Sequence, residues 1–304
     1  MFTIHCTSDK IWNTANLVGF LAANQHSAIE LEINPEAICL TNLGLYDLLD
    51  KFKFTSVTIF TWNPLEQHEK YKIKFKGSNF WFSKIENIDA KFQDWDLTKR
   101  FLCFYHRPTA ARLGLAGHLW SKHSSQSLIH FSTDDLEDFE LDKLLQWDVS
   151  SAAAVGPMLP SMPLLLGNSN GYTKFNGYNY SDPLTALYGN ILVDVVVESH
   201  VAGRTFFPTE KTTRPMLLKK PFIIFGSRDY LAYLRQMGFR TFHDFWNEDY
   251  DGYDGRTRLL KIQQLLDNLA QLAISKLETM YWDMQYTLRS EEHTSELQSR
   301  FGIS

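Results

Sequence analysis

Cysteine is scarce. Cys6, Cys39 and Cys103 are the three in 304 residues, with neither CxxC spacing nor an even count, which argues against a disulfide framework or a zinc knuckle. A basic surplus is also missing. Lys and Arg number 30 against 35 Asp and Glu, for a net charge of -5, so no nucleic-acid partner is expected. No apolar run reaches the ~18 residues of a membrane-spanning helix, so no transmembrane segment is expected. Met1-Phe2-Thr3-Ile4-His5 lacks a basic region ahead of an apolar stretch and does not resemble a signal peptide. A cytoplasmic location is the expectation. Neither GxGxxG nor GxxxxGK[ST] occurs, which leaves a dinucleotide fingerprint and a P-loop unsupported. What is present is a composition with 44% hydrophobic and 21% charged residues, ordinary for a globular chain. The length suggests about two domains.

The N-terminal third reads as a small α/β unit. Phe2 to Cys6 is a short apolar strand, Thr7-Ser8-Asp9 offers an N-cap, and Ile11 to Ala22 has helical spacing. Ala28 to Ile33 alternates, placing Ile29, Leu31 and Ile33 on one face. Gly44 to Phe52 suggests a second helix. Ser56 to Thr61 is β-branched and strand-like, and Tyr71 to Lys76 alternates as a strand with one wet, basic face.

A second unit begins near residue 99. Arg100 to Tyr105 is nearly continuous in apolar residues, as in a strand buried on both faces. His106-Arg107-Pro108 breaks it, Thr109 to Lys122 is helical in pattern, and Ser127 to Phe131 returns as a strand. Strands alternating with helices predict parallel βαβ units. Arg107 and Arg112 then fall at the carboxyl end of a strand and in the helix that follows. Open α/β sheets bind ligands at that edge, although the plainer reading makes both arginines solvated surface groups. Residues 149–183, rich in Pro, Gly, Ser and Asn, read as a long loop. Its aromatics Tyr172, Phe175, Tyr178 and Tyr180 suit either stacking on a sugar or base, or packing the loop down.

Ile191 to Val197 is a strongly apolar strand ending in Glu198-Ser199. Thr209 is an N-cap candidate that places Glu210 in a first helical turn, and Pro215 predicts a short or kinked helix. Pro221 to Gly226 is another buried strand. Asp229 to Met237 is helical and is stopped by Gly238. A helix N-terminus beside a strand end favours anions. Lys211 there could hold a diphosphate, and Glu210 could accept the two hydroxyls of a ribose. The alternative is a favourable first-turn glutamate next to an exposed lysine.

The stretch VDVVVESHVAGRTFFPTEKTTRPMLLKKPFIIFG resembles the donor-binding half of α-1,3-fucosyltransferases. That family has an apolar strand ending in Phe-Glu-Asn, a later Tyr-x-Thr-Glu-Lys, and then a helix and a strand with a Pro-Val-x-x-Gly pattern. Glu198 matches the first glutamate. Thr209, Glu210 and Lys211 match the second motif, and Pro221 to Gly226 the strand. The likeness covers roughly Asp194 to Gly226, under an eighth of the chain. Ser199 stands where the family has asparagine, the intervening loop is longer, and Arg214-Pro215 interrupts the helix. The resemblance implies a GT-B fold, in which two Rossmann-like domains face a cleft. Residues 1–98 would form the acceptor-side α/β domain and 99–288 the nucleotide-sugar-binding domain. It implies inverting, metal-independent transfer of a sugar from a nucleotide sugar to a glycan or other acceptor. Glu198, Thr209, Glu210, Lys211, Arg112 and Arg107 would lie on the donor side, with no metal site. No cofactor is implied beyond the donor itself, for which a GDP-linked sugar is one candidate.

Other features are weaker. The metal-binding DxD motif has only a fragment, Asp134-Asp135, and Thr133-Asp134 reads more simply as an N-cap. His5, Asp9 and Glu66 are available as a general base without one standing out. His118 and His123, five apart, are not expected on one helix face. His106 and His130 share a strand-end edge if their strands are adjacent. Cys103 reads as inert core. Trp246, Asp249, Tyr250 and Asp251 suit either sugar contact or anchoring of the terminal helix, and Glu248, Asp251 and Asp254 do not match an EF-hand loop. Arg258 to Met284 has one long amphipathic stripe, expected either to cross back over the N-terminal domain or to dimerise. Residues 289–299, RSEEHTSELQS, resemble a translated sequencing-library adapter, so 289–304 are expected to be a non-native tail that replaces the natural C-terminus. A non-catalytic binding module on the same fold is the alternative function. A different phosphate-handling enzyme would need Arg107, Arg112 and Arg204 as further donors.

Overall fold

The computed structural model describes residues 1–6, 10–34, 37–76, 99–132, 135–166 and 187–289. The chain divides into two compact units. Unit 1 is Met1–Phe80 with His200–Phe207, and unit 2 is Trp81–Ser199 with Pro208–Ser304. Both are α/β and Rossmann-like, each built on a four-stranded parallel sheet.

In unit 1 the strands β1 (Phe2–His5), β2 (Ala28–Asn34), β3 (Ser56–Thr61) and β4 (Lys72–Phe75) lie side by side in chain order. Helices α1 (Thr14–Ala23) and α2 (Leu45–Leu49) connect the first three. Register pairs Ile4 with Ile33, Leu31 with Ile59, and Ile59 with Ile73. These alternate positions form the core with Leu17, Leu21, Leu45 and Leu49. The intervening positions Glu30, Lys72 and Lys74 are exposed, so the alternation expected of β2 and β4 is present. Helix α1 starts later than its spacing predicted. Asn13 precedes it, but the Asn13 amide is engaged with β1: Oδ1 accepts from His5 N at 3.0 Å and Nδ2 donates to Thr3 O at 3.0 Å. The expected caps at 7–9 lie outside the described residues. Residues 200–207, expected only as a loop after Ser199, belong to unit 1. There Asn63 Nδ2 donates to Arg204 O at 2.9 Å and Thr205 Oγ1 donates to Ala37 O. Gly203, at φ +74°, passes so close that a Cβ would lie 2.8 Å from Cys39 Cβ, a position that only glycine fills without strain.

In unit 2 the strand order is β6 (Ser127–Phe131), β5 (Phe101–Tyr105), β7 (Val193–Val197), β8 (Phe222–Phe225). This is a doubly wound order. The chain moves one way from β5 to β6 and the other way from β5 to β7, so a topological switch point lies between β5 and β7. Helix α3 (Ala110–His123) connects β5 to β6. Its GLAG stretch is a close-packing face: a Cβ on Gly117 would lie 2.7 Å from Val155 Cγ2, and one on Gly114 would lie 3.0 Å from Leu144 and Leu259 side chains. Helices α4 (Asp138–Trp147) and α5 (Val149–Val155) follow. The start of the expected loop at 149 is therefore helical, because the Asp148 carboxylate caps it, accepting from Ser151 N at 2.8 Å. The helix expected from Thr133-Asp134 begins instead at Asp138 with Glu137 before it. Tyr172, Phe175, Tyr178 and Tyr180 lie outside the described residues.

Beyond β7 come α6 (Glu210–Leu217), β8, α7 (Tyr230–Gln236), α8 (Gly255–Gln271) and α9 (Ile274–Arg289). The single long terminal helix expected from periodicity is thus two helices. Arg100 from the start of β5 supplies the reason: its Nη1 donates to Leu269 O at 2.7 Å, Ala270 O at 2.6 Å and Leu272 O at 3.0 Å. A guanidinium satisfying the last carbonyls ends a helix where no local glycine or proline does. Both helices pack within unit 2. Gln263 Nε2 donates to Gly114 O at 3.0 Å, and the Lys220 ammonium reaches Tyr281 Oη at 2.9 Å. Among the described residues no helix is long and apolar enough to cross a membrane.

Candidate functional site

The site forms at the carboxyl edge of the unit 2 sheet, at the switch point. Strand β5 ends in His106 and Arg107, both exposed, and β7 ends in Glu198 and Ser199. Arg112, in the first turn of α3, ties the two strand ends together. Its Nη1 donates to Arg107 O at 3.0 Å and its Nη2 to Val197 O at 3.3 Å. The guanidinium is 6% exposed, and its Nε is buried with no hydrogen-bond partner. Burial draws its pKa down, against the pull of Tyr105, Glu198 and Glu210.

Helix α6 is built on Glu198. This carboxylate is 3% exposed. Its Oε1 accepts from Thr209 N at 3.0 Å and Thr212 Oγ1 at 2.5 Å, and its Oε2 accepts from Thr209 Oγ1 at 2.7 Å and Ser199 N at 3.2 Å. Tyr230 Oη adds a contact at 3.3 Å. A buried carboxylate survives only when satisfied in this way. With its lone pairs turned to the chain's own donors, Glu198 holds the helix start in place. Thr209 is the N-cap, accepting from Lys211 N at 3.3 Å. The helix runs through Pro215 to Leu217, so it is short, as expected, and the proline does not interrupt it.

Glu210 and Lys211 occupy the first turn. Lys211 Nζ lies 2.7 Å from Glu210 Oε1, 3.2 Å from Thr209 Oγ1 and 3.3 Å from Ser199 Oγ. Burial pushes the Glu210 carboxyl upward, but Lys211 and Arg214 together outweigh it and hold the group below the usual carboxylate range. His106 is pressed down by desolvation and by the cations Arg107, Arg112 and Lys211. The hydrogen bonds from Arg112 to Arg107 O and Val197 O, and from Lys211 Nζ to Ser199 Oγ, bring the end of β5, α3 and α6 to one edge. All six residues singled out in the sequence therefore meet at one edge: Arg107, Arg112, Glu198, Thr209, Glu210 and Lys211. Chemically the edge sets the cations Arg107, Arg112 and Lys211 beside the Glu210 carboxylate, with the Glu198 carboxylate buried below.

Beneath it lies a second charged layer that the sequence did not reveal. Asp194, in β7, accepts from Tyr188 Oη at 2.5 Å. Burial lifts its pKa to about 6 against the pull of Arg214, and the Arg214 guanidinium lies 5.1 Å from the Phe104 ring centroid. Thr212 was legible in principle, since it lies three residues after the cap on the same helical face. Tyr230, which arrives from another helix, carried no local signal.

His130 and His106 do share the edge. Strands β5 and β6 are adjacent, with Phe104 opposite His130. His130 stacks on Phe104 at 4.4 Å, accepts from Leu166 N at Nδ1 (3.2 Å), and donates from Nε2 to Ser132 Oγ (3.0 Å). Cys103 is fully buried, and desolvation raises its thiol to about 12. Asp251 caps α7 by accepting from Leu231 N and Ala232 N at 2.9 and 3.0 Å, and Glu248 accepts from Phe242 N at 2.8 Å, so that acidic patch anchors structure. Glu66 in unit 1 accepts from Leu40 N, Tyr46 Oη and Asn63 Nδ2. Arg204 lies in the 200–207 segment of unit 1. Asp9 and Asp134 lie outside the described residues.

His118 and His123 depart from expectation. Both Nε2 atoms lie 2.7 Å from the same Asp267 Oδ1 on α8. His123 is the last residue of α3, and its φ of -134° and ψ of 28° leave helical geometry. That turn swings its ring to the face His118 already occupies.

No family model matches the chain, and no curated protein matches it.

Proposed function

We propose that the chain is a GT-B glycosyltransferase, inverting and metal-independent, that moves a sugar from a nucleotide sugar to a glycan or other acceptor. The observation that supports this most is the convergence of Arg107, Arg112 and Lys211 at the switch point of a doubly wound sheet. In this reading the donor diphosphate lies against Arg107 and Lys211 at the α6 N-terminus. Glu210 faces the ribose hydroxyls. Arg112 fixes the backbone of both strand ends, and Glu198 with Thr209 fixes the helix start. The acceptor hydroxyl oxygen attacks the anomeric carbon as the bond to the diphosphate oxygen breaks, and its proton leaves to a general base or to solvent. Arg107 and Lys211 then meet the negative charge that grows on the leaving group, which is where preorganised cations lower a barrier. GDP-linked sugars are the first donors to try.

A specific observation favours a second reading, a non-catalytic binding module. Lys211 is already held by Glu210, Ser199 and Thr209, so the rim is partly self-satisfied. Release of nucleoside diphosphate from a panel of GDP-, UDP- and TDP-linked sugars, with acceptor glycans present, separates the two. The transferase reading expects release from one donor class, reduced at least ~tenfold in Lys211→Ala. A folded chain that releases nothing and is not stabilised by any nucleoside diphosphate supports the module.

A further inference from the structure

We propose that His118, His123 and Asp267 form a binding site for one divalent transition-metal ion of the zinc type. The site joins helix α3 to helix α8 and does not rest on the donor reading above. Two imidazole nitrogens and one carboxylate oxygen converge, all within 4.8 Å of one another. This is a His2Asp donor set of the kind zinc accepts, with a position left open. Sequence proximity alone does not create it. The departure of His123 from helical geometry brings its ring to the carboxylate that His118 already meets.

The carboxylate is already divided between two tasks. Asp267 Oδ2 accepts from Lys122 Nζ at 3.2 Å, while Oδ1 faces both rings at 2.7 Å. An outer partner on one oxygen turns the other toward the metal. Zinc needs ligand atoms at ~2.0–2.2 Å. The cation would replace the two N–H contacts at Oδ1, and each neutral ring would move its proton from Nε2 to Nδ1. Exposure is graded: the His118 side chain is 8% exposed, His123 14% and Asp267 26%. An ion can therefore enter from the Asp267 side. Arg112 lies in the first turn of α3 and His123 at its last residue, ~16 Å apart along the axis at 1.5 Å per residue, so the site is separate from the anion edge.

The test is titration of the untagged full chain with Zn2+ by calorimetry and with Co2+ by visible absorption. One equivalent should bind, and Co2+ should give the d–d bands of a low-coordinate site. His123→Gln, a substitution at a partly exposed helix end, should weaken Zn2+ binding by at least ~tenfold and abolish the bands. Asp267→Asn should do the same. The proposal is overturned if the wild-type chain gives no Co2+ bands and no saturable Zn2+ binding. It is equally overturned if binding persists unchanged in His123→Gln and Asp267→Asn, since the chain has 10 histidines and other sites would then account for it. Should one of the two variants fail to fold, the other decides.

Discussion

Glu198 and Thr209 close a loop. The chain leaves unit 2 after Ser199 and returns at Pro208, and the two ends are joined by Thr209 N to Glu198 Oε1 at 3.0 Å and Thr209 Oγ1 to Glu198 Oε2 at 2.7 Å. The end of β7 and the start of α6 are thus one rigid element, which is what an anion site at that helix start requires.

Glu198→Ala should be severely destabilising. It strands Thr209 N and the Thr209 hydroxyl in a buried place, on the order of 3 kcal/mol, while the Thr212 and Tyr230 hydroxyls keep each other at 3.0 Å. Urea denaturation measures it. A loss below ~1 kcal/mol would show that the cluster re-pairs without the carboxylate.

Gly117→Ala should destabilise unit 2 although alanine favours helix. The new methyl meets Val155 Cγ2 at 2.7 Å and the Val155 backbone at 3.1 Å, and overpacking of this kind costs about 1–3 kcal/mol. Val155→Ala relieves only the side-chain half of the clash. The loss caused by Gly117→Ala should therefore be smaller in the Val155→Ala background than in the wild-type chain. Additive losses would contradict the contact.

Acid should weaken the fold through His130. Burial, with Arg214 and His106 adding to it, depresses its pKa to about 4. A ring whose folded pKa lies below its unfolded value of ~6.5 binds fewer protons in the folded state between those values. Its contribution to stability is whole above pH ~6.5 and is lost as pH falls toward 4, by about 3 kcal/mol over the window. His130→Gln should be less stable at neutral pH, having lost the Phe104 stack, but should show a flatter pH dependence between 6.5 and 4. Parallel stability curves for the two proteins would contradict this account.

The elements with clean periodicity were legible. Ile29, Leu31 and Ile33 of β2 face the core as their alternation indicates, and Thr209 caps α6. The strand ends carrying Arg107 and Glu198 were also placed correctly, because buried parallel strands are short apolar runs bounded by polar residues. What failed had distant causes. The break between α8 and α9 is made by Arg100, from a strand some 170 positions away. Asn13 bonds to β1 instead of exposing a start signal for α1. The meeting of His118 with His123 depends on one residue leaving helical geometry. The return of 200–207 to unit 1 rests on Thr205 and Asn63 contacts that no local pattern encodes.

The central claim is that Arg107 and Lys211 form an anion edge for a nucleoside diphosphate. Isothermal calorimetry of GDP, UDP and CDP against the wild-type chain, Arg107→Ala and Lys211→Ala tests it directly. Charge-assisted hydrogen bonds of ~1.5–3 kcal/mol correspond to a weakening of about tenfold to a hundredfold in each variant. The account predicts saturable binding of one nucleotide class, weakened to that extent while both variants stay folded. A folded wild-type chain that binds none of them, or variants that bind as tightly as it does, would contradict the account.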